Sequence, residues 1–240
     1  NDIVITRSTD GDVVTIAEVA FVYAPPRMVR LDGQRGQFFS KRLGYSVAIA
    51  NGNGKNNSGN DNDQFIYVLR LAATPIQQFR LGTQDLTVAA GVNGAYSRDS
   101  AARAEAIFGV NRAIGVASEG ARRLAGADLS AQLGPLSLKT EYIWGEFKPY
   151  ASGMRLIRTD GYYVQSGWYL TPKLQILARY EAFDPDKDAL NYSDIRWTTL
   201  GLNYFIRGYN LRAQANYVFK RERASSVRDD ALLASIQLLF

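Results

Sequence analysis

The alternation of apolar and polar residues over strand-length stretches is the feature that most constrains this chain. In Tyr209 to Lys220 (YNLRAQANYVFK), every odd-numbered position is apolar or aromatic, whereas the even-numbered positions carry mostly amides and cations. The stretch from Asp229 to Phe240 repeats the pattern with an apolar face that reaches the last residue. A period of two residues is that of an extended strand, whose side chains point alternately to opposite faces of a sheet. The pattern therefore predicts an all-β chain.

The connections between these stretches alternate in length. Tight turns are predicted near 134 to 136, 171 to 172 and 206 to 208, and longer, mostly polar connections at 52 to 63, 99 to 121, 149 to 160, 184 to 194 and 221 to 228. Short turns at one end and long loops at the other are typical of an outer-membrane barrel with its short turns in the periplasm. The connections 25 to 36 and 75 to 84 depart from this rule. About twelve strands are counted, including Asp2 to Arg7, Val13 to Ala24 and, as a single strand, Gln37 to Asn51. An even number places both termini in the periplasm.

The composition excludes several other classes of protein. The 240 residues include neither Cys nor His, which removes disulfide frameworks, the common zinc sites and the Ser-His-Asp triad. The mean hydropathy is −0.19, and no window approaches the roughly 18 apolar residues of a membrane helix. The formal net charge of +5 is not concentrated in one block, so we expect no nucleic-acid partner. We also expect no enzyme activity, no catalytic or metal-binding residue and no cofactor.

The polar faces of the predicted strands carry the candidate functional residues. The cations there outnumber the acids: they are Arg42, Arg70, Lys139, Arg179, Arg212 and Lys220, against Glu18, Asp128, Glu141 and Glu181. If these faces line a lumen, its field is net positive, and rings of Arg and Lys favour anions in a pore. Arg also offers bidentate contacts to phosphate-like oxygens. The alternative for any single residue is a cross-strand ion pair that only satisfies charges within the barrel wall.

The stretch from 99 to 121 interrupts the alternation within what we treat as a single domain, residues 1–240. A loop of this length inside an all-β domain is usually functional or disordered. One interpretation is a surface excursion. The other is a loop folded into the lumen as a constriction, with Arg103, Glu105 and Arg112 as its charged face.

Aromatic residues near the strand ends predict an interfacial girdle on the outward face of a membrane barrel. They are Tyr142, Trp144, Trp168, Tyr180, Tyr204 and Tyr217.

Several stretches resemble the phosphate-selective porin family of Gram-negative outer membranes. They are Ser46 to Gly54 (SVAIANGNG) with the Asn/Asp-rich loop behind it, Gly161 to Asp186 (GYYVQSGWYLTPKLQILARYEAFDPD), Thr199 to Gly208 (TLGLNYFIRG) and the Phe-terminated last strand. The resemblance implies a transmembrane, antiparallel up-and-down β-barrel. Members of that family are sixteen-stranded, trimeric anion pores that use lumen-facing Arg and Lys. With about twelve strands counted, the chain corresponds to a reduced barrel or to a portion of a larger one. Asn1-Asp2-Ile3 has no signal-peptide character, so an exported form is expected to be mature or trimmed.

Three functions stay open at this point. The first is an outer-membrane pore for passive diffusion of small solutes, preferring phosphate-like anions, that contacts lipid and lipopolysaccharide and assembles as a homotrimer or with another membrane protein. The second is a non-conducting structural or scaffolding barrel subunit of a larger outer-membrane complex. The third is a soluble β-sandwich or ligand-binding barrel, which would carry polar residues on the outer face of its strands.

Overall fold

The computed structural model describes residues 31–38, 42–51, 64–99, 119–188, 194–208, 210–222 and 230–238. The regular structure in these ranges is one antiparallel sheet of eleven strands in sequence order. The strands are β1 (Leu31–Phe38), β2 (Leu43–Asn51), β3 (Phe65–Leu81), β4 (Gln84–Asp99), β5 (Gly120–Leu133), β6 (Leu136–Pro149), β7 (Ile157–Thr171), β8 (Leu174–Asp184), β9 (Ile195–Arg207), β10 (Leu211–Glu222) and β11 (Ala231–Leu238). The predicted all-β, up-and-down architecture is confirmed, and β1 and β11 form the edges of the described sheet. The described residues include no helix with the length and apolar character to cross a membrane.

The alternation of short and long connections is regular along the whole described sheet. Short turns follow β1, β3, β5, β7 and β9, and longer connections follow β2, β4, β6, β8 and β10. Because neighbouring strands are antiparallel, the two kinds of connection lie at opposite ends of the sheet. Gly82 and Gly134 take φ values of 62° and 52° in two of the short turns, a left-handed conformation that glycine adopts without steric cost. We call these ends the short-turn end and the long-connection end.

The predicted connection 75 to 84 is wrong, because β3 continues through Pro75 to Leu81 and leaves only a tight turn before β4. The pairing of β3 with β2 ends at Ala73, so the missing amide hydrogen of Pro75 costs no bond to that strand. The pairing with β4 shifts register on both sides of Ile76. Such bulges let a strand absorb an irregular residue and continue.

The first described hairpin also differs from the prediction. The sequence analysis treated 25 to 36 as a connection and Gln37 to Asn51 as one strand, whereas the structure has β1 and β2 on either side of a short link. In the pairing of the two strands, Arg35 lies opposite Ser46, so the second half of the predicted connection is a strand. The two strands predicted before residue 25 lie outside the described residues. The count of twelve therefore included those two strands and omitted β1.

The two faces of the sheet differ in both composition and exposure. On β3, Leu71 is 49% exposed, whereas the side chain of its neighbour Arg70 is 29% exposed. The same alternation continues to β9, with exposed apolar side chains on one face and less exposed polar side chains on the other. No second sheet covers either face in the described ranges, so the unequal exposure indicates a sheet curved around its polar side. We call these the apolar face and the polar face.

This arrangement reverses the pattern of a soluble sandwich, which buries its apolar face against a second sheet. Five of the six predicted girdle aromatics lie well exposed on the apolar face: Tyr142, Trp168, Tyr180, Tyr204 and Tyr217. An outward apolar surface with aromatic residues is the arrangement of a sheet that faces lipid.

Candidate functional site

The structure places the candidate cations of the strands together on the polar face. Lys139 of β6 lies opposite Gln165 of β7, which in turn lies opposite Arg179 of β8. Residues directly opposite each other on antiparallel strands share a face, and register places Arg70, Arg212 and Lys220 on this face too. Arg42 lies in the turn before β2 and is exposed.

Arg70 is held by a bidentate ion pair with Asp128, 58 residues away in the chain. Its Nη1 and Nη2 donate to Oδ2 and Oδ1 of Asp128 at 2.6 and 2.9 Å. The pair spans from β3 to β5 directly over Gly91 of β4. A Cβ at Gly91 would lie 2.5 Å from Arg70 Nη2 and 2.7 Å from Asp128 Oδ2. Gly91 therefore provides the space that lets this ion pair lie flat against the sheet.

Arg179 is held in a comparable way on β8. Its Nε donates to Oε2 of Glu181 at 2.7 Å, and its guanidinium lies 3.9 Å from the ring centre of Tyr163 on β7. A cation above an aromatic face is favoured by the quadrupole of the ring. Both contacts hold the guanidinium of Arg179 against the polar face.

These groups form a continuous band across the middle of the polar face. Asp128 lies opposite Glu141, Glu141 opposite Tyr163, and Tyr163 opposite Glu181. With Arg70 and Arg179, the band contains two guanidinium groups and three carboxylates. We call these six residues the paired band, and its formal charge is not positive.

Three other candidate cations have no carboxylate within ion-pair distance in the described part of the chain: Lys139, Arg212 and Lys220. The Nη2 of Arg212 donates to the side-chain oxygen of Gln237, and its guanidinium lies 6.0 Å from the ring centre of Phe205. Lys220 Nζ lies 5.0 Å from the ring centre of Trp197. Amide and ring contacts do not cancel a charge. We call these three residues the uncompensated cations.

The short-turn end of the polar face also carries amide groups. Asn203 Nδ2 donates to Gln175 Oε1 at 2.9 Å, and both side chains are largely buried. Gln214 lies opposite Asn203 on the next strand. The sequence analysis did not single out these amides, nor Tyr163 or Gly91. The alternation of β7 already placed Tyr163 on the polar face, but nothing in the sequence marked Gly91 as the residue beneath an ion pair.

The connections at the long-connection end are tied to each other by ion pairs. Arg155, after β6, binds Asp186, after β8, with one contact at 2.8 Å, and Asp186 is 1% exposed. Lys187 binds Asp160 at the start of β7. The hydrogen bonds to Asp186 and Asp160 raise the pKa of Arg155 and of Lys187 above their ordinary values. Arg155 and Lys187 therefore keep their positive charges at neutral pH.

The predicted constriction residues Arg103, Glu105 and Arg112, and Glu18 of the predicted polar face, lie outside the described residues. Within the described ranges, no group of three His, Cys, Asp or Glu side chains is arranged to hold a metal ion.

Comparisons with known proteins identify a family. The model of the family described as "Phosphate-selective porin O and P" matches residues 54–240. Among solved structures, the chain is similar to a loop L8 deletion mutant of OmpT, an outer membrane protein of Vibrio cholerae, with 14% sequence identity and a TM-score of 0.49. That match covers 80% of this chain and 75% of the other. A search of curated proteins finds no match.

Proposed function

The chain belongs to the phosphate-selective porin O and P family, and from this premise we propose that its polar face lines a water-filled path for anions. Membership makes the chain an outer-membrane β-barrel porin for small solutes with a preference for anions such as phosphate, and it points to a channel rather than an enzyme. The observation that carries our assignment of residues is the asymmetry of the sheet. The polar face of the sheet holds the cations and amides, and the apolar face holds the exposed apolar residues.

The six candidate cations contribute unequally to this path. The uncompensated cations Lys139, Arg212 and Lys220 attract anions, because no carboxylate in the described ranges lies within ion-pair distance of them. Arg70 and Arg179 lie within the paired band, where their carboxylates reduce the field that a passing anion meets. Arg42, in an exposed turn at the short-turn end, contributes near the mouth. A path of this kind lowers the entry barrier for anions without binding them so tightly that they cannot leave.

The orientation of the barrel follows from the ends of the sheet. Short turns are periplasmic in outer-membrane barrels, and β11 runs from the long-connection end to the short-turn end, so the end of β11 lies on the periplasmic side. Four features stay predictions. They are a periplasmic N-terminus, the single-domain organisation over 1–240, the lumenal placement of 99–121 with Arg103, Glu105 and Arg112, and the homotrimer or other membrane-protein partner. Lipid and small anionic solutes are the partners that the family membership supports.

The direct test is single-channel recording in a planar phosphatidylcholine bilayer under a KCl gradient. We expect stable conductance steps and a reversal potential that reports preference for chloride. A protein that stays folded, as judged by its heat-modifiable migration on a gel, and does not conduct would contradict the channel and favour the scaffolding alternative.

Removing the carboxylate from the Arg70–Asp128 pair is expected to increase anion preference. Asp128→Asn removes one negative charge and leaves Arg70 without its ion-pair partner, so the anion-to-cation permeability ratio should rise about two- to fivefold, or about 0.5–1 kcal/mol. The matched control is Asp85→Asn, which removes the same charge from the Arg80–Asp85 pair, where both side chains are more than half exposed. Equal reversal potentials for the two variants would show that Asp128 does not face the conducting path.

A further inference from the structure

The long-connection end of the apolar face carries a group of exposed cations that the pore does not use. Arg98 of β4, Arg123 of β5, Lys148 of β6 and Arg158 of β7 are all exposed. Register places them on one face: Arg98 and Lys148 both lie opposite Ala121, and Arg123 and Arg158 both lie opposite Glu146. We call these four residues the basic patch.

The patch is compact because its members occupy four neighbouring strands. Two residues that flank one common residue are separated by two strand spacings, or about 10 Å between backbones. Four acids belong to this region: Glu119, Glu146, Asp160, which lies two residues from Arg158 on the same face, and Asp184, which lies opposite Asp160 on β8. Glu146 lies between Arg123 and Arg158 and binds Arg123 at 3.3 Å, with only 15% of its side chain exposed. Lys187 binds Asp160, so the four exposed cations together with Lys187 outnumber the four acids and leave a net positive surface.

The position of the patch relative to the apolar face indicates what meets it. On β4, Val92 is 53% exposed, and Tyr96 and then Arg98 follow on the same face towards the long connections. On β5, Leu129 is followed by two alanines and then Arg123. On β6 and β7, an acid (Glu146 or Asp160) lies between the last aromatic residue and the cation. All four strands thus carry aromatic or small residues on this face before the cation at its long-connection end. Aromatic side chains mark the membrane–water interface, so the patch lies at the level of the lipid headgroups.

We propose that the basic patch binds the phosphate groups of lipopolysaccharide in the outer leaflet. The long connections of an outer-membrane barrel are extracellular, and the leaflet on that side is the one that presents phosphorylated glycolipid. Arg offers bidentate contacts to phosphate oxygens, and each Lys or Arg near an anionic lipid surface strengthens binding. Because the patch is on the outer wall, it binds lipid-anchored phosphate while the lumen conducts free phosphate. The inference depends on the outer-membrane location of the family and not on conduction.

The test measures the affinity of bisphosphorylated lipid A for the porin in phosphatidylcholine nanodiscs by native mass spectrometry. The variant Arg123→Gln with Arg158→Gln removes half of the patch, and the matched control Arg196→Gln with Arg221→Gln removes two cations that lie opposite each other on β9 and β10. Removing one cation from an anionic lipid site is expected to lower the affinity about fivefold. We therefore expect the patch variant, which lacks two cations, to bind lipid A about 25-fold more weakly. The control should keep most of its affinity.

Further arms separate the alternatives. Lipid A without phosphates should bind the wild type and the patch variant equally, and millimolar inorganic phosphate should not displace bound lipid A. The reversal potential of the patch variant should equal that of the wild type. Equal lipid A affinity in the wild type and the patch variant, or an equal loss in the control variant, would overturn the proposal. A patch variant that lost only its self-association would assign the patch to a contact between copies of the chain instead.

Discussion

Reversing the charge of the uncompensated cations is expected to convert the pore from anion preference to cation preference. The variant combines Lys139→Glu, Arg212→Glu and Lys220→Glu and changes the formal charge of the polar face by six. Rings of like charge determine the sign of the permeant ion, so the anion-to-cation permeability ratio should fall at least about tenfold, or about 1.4 kcal/mol. The measurement is the reversal potential of single channels under a KCl gradient.

The control for this variant carries the same change of charge on the outer wall. Lys148→Glu, Arg158→Glu and Arg196→Glu alter exposed residues of the apolar face. If only the net charge of the protein mattered, these three changes would shift the reversal potential as much as the three changes on the polar face. We expect little change in its reversal potential in a phosphatidylcholine bilayer. If the two triple variants shift the reversal potential by the same amount, the uncompensated cations do not line the path.

Loss of the ring of Phe147 is expected to destabilise the barrel more than loss of an outward aromatic. Phe147 lies at the long-connection end of β6, is 1% exposed and is paired with the fully buried Ile157 of β7. A Cβ built on Gly120 would lie 2.4 Å from its ring, so the packing there is tight. Phe147→Ala should lower the free energy of unfolding by about 3–5 kcal/mol, because it leaves a cavity that its neighbours cannot fill. Urea unfolding in detergent micelles measures the difference.

Phe79→Ala is the matched control, because Phe79 is 59% exposed on the apolar face. Detergent or lipid chains replace the removed ring there, so no cavity forms and the free energy of unfolding should change little. A Phe147→Ala protein as stable as the Phe79→Ala protein would contradict the tight packing at the long-connection end.

Sequence analysis predicted the faces of the strands correctly, because a side-chain period of two depends only on the local chain. Tyr209 to Lys220 already separated Arg212 and Lys220 from Tyr217, and the structure places them on opposite faces. The resemblance seen in Gly161 to Asp186 and Thr199 to Gly208 was confirmed by the family match, which includes both stretches. The sequence was weaker at strand ends. The sequence predicted that the strand ends at Pro75. In the structure β3 continues, because its pairing with β2 ends at Ala73 and its pairing with β4 contains bulges, and neither feature of the pairing can be seen in the local sequence.

The sequence by itself thus determined an all-β chain with one polar and one apolar face, because alternation is written residue by residue. The tertiary structure alone decided which charges cancel. Arg70 and Asp128 are 58 residues apart, and their pairing requires the register of three strands and a glycine between them. In the described part of the chain, Lys139, Arg212 and Lys220 have no carboxylate within ion-pair distance. Strand register brings Arg98, Arg123, Lys148 and Arg158 together on the apolar face. Charge balance depends on neighbours across strands, which local composition does not specify.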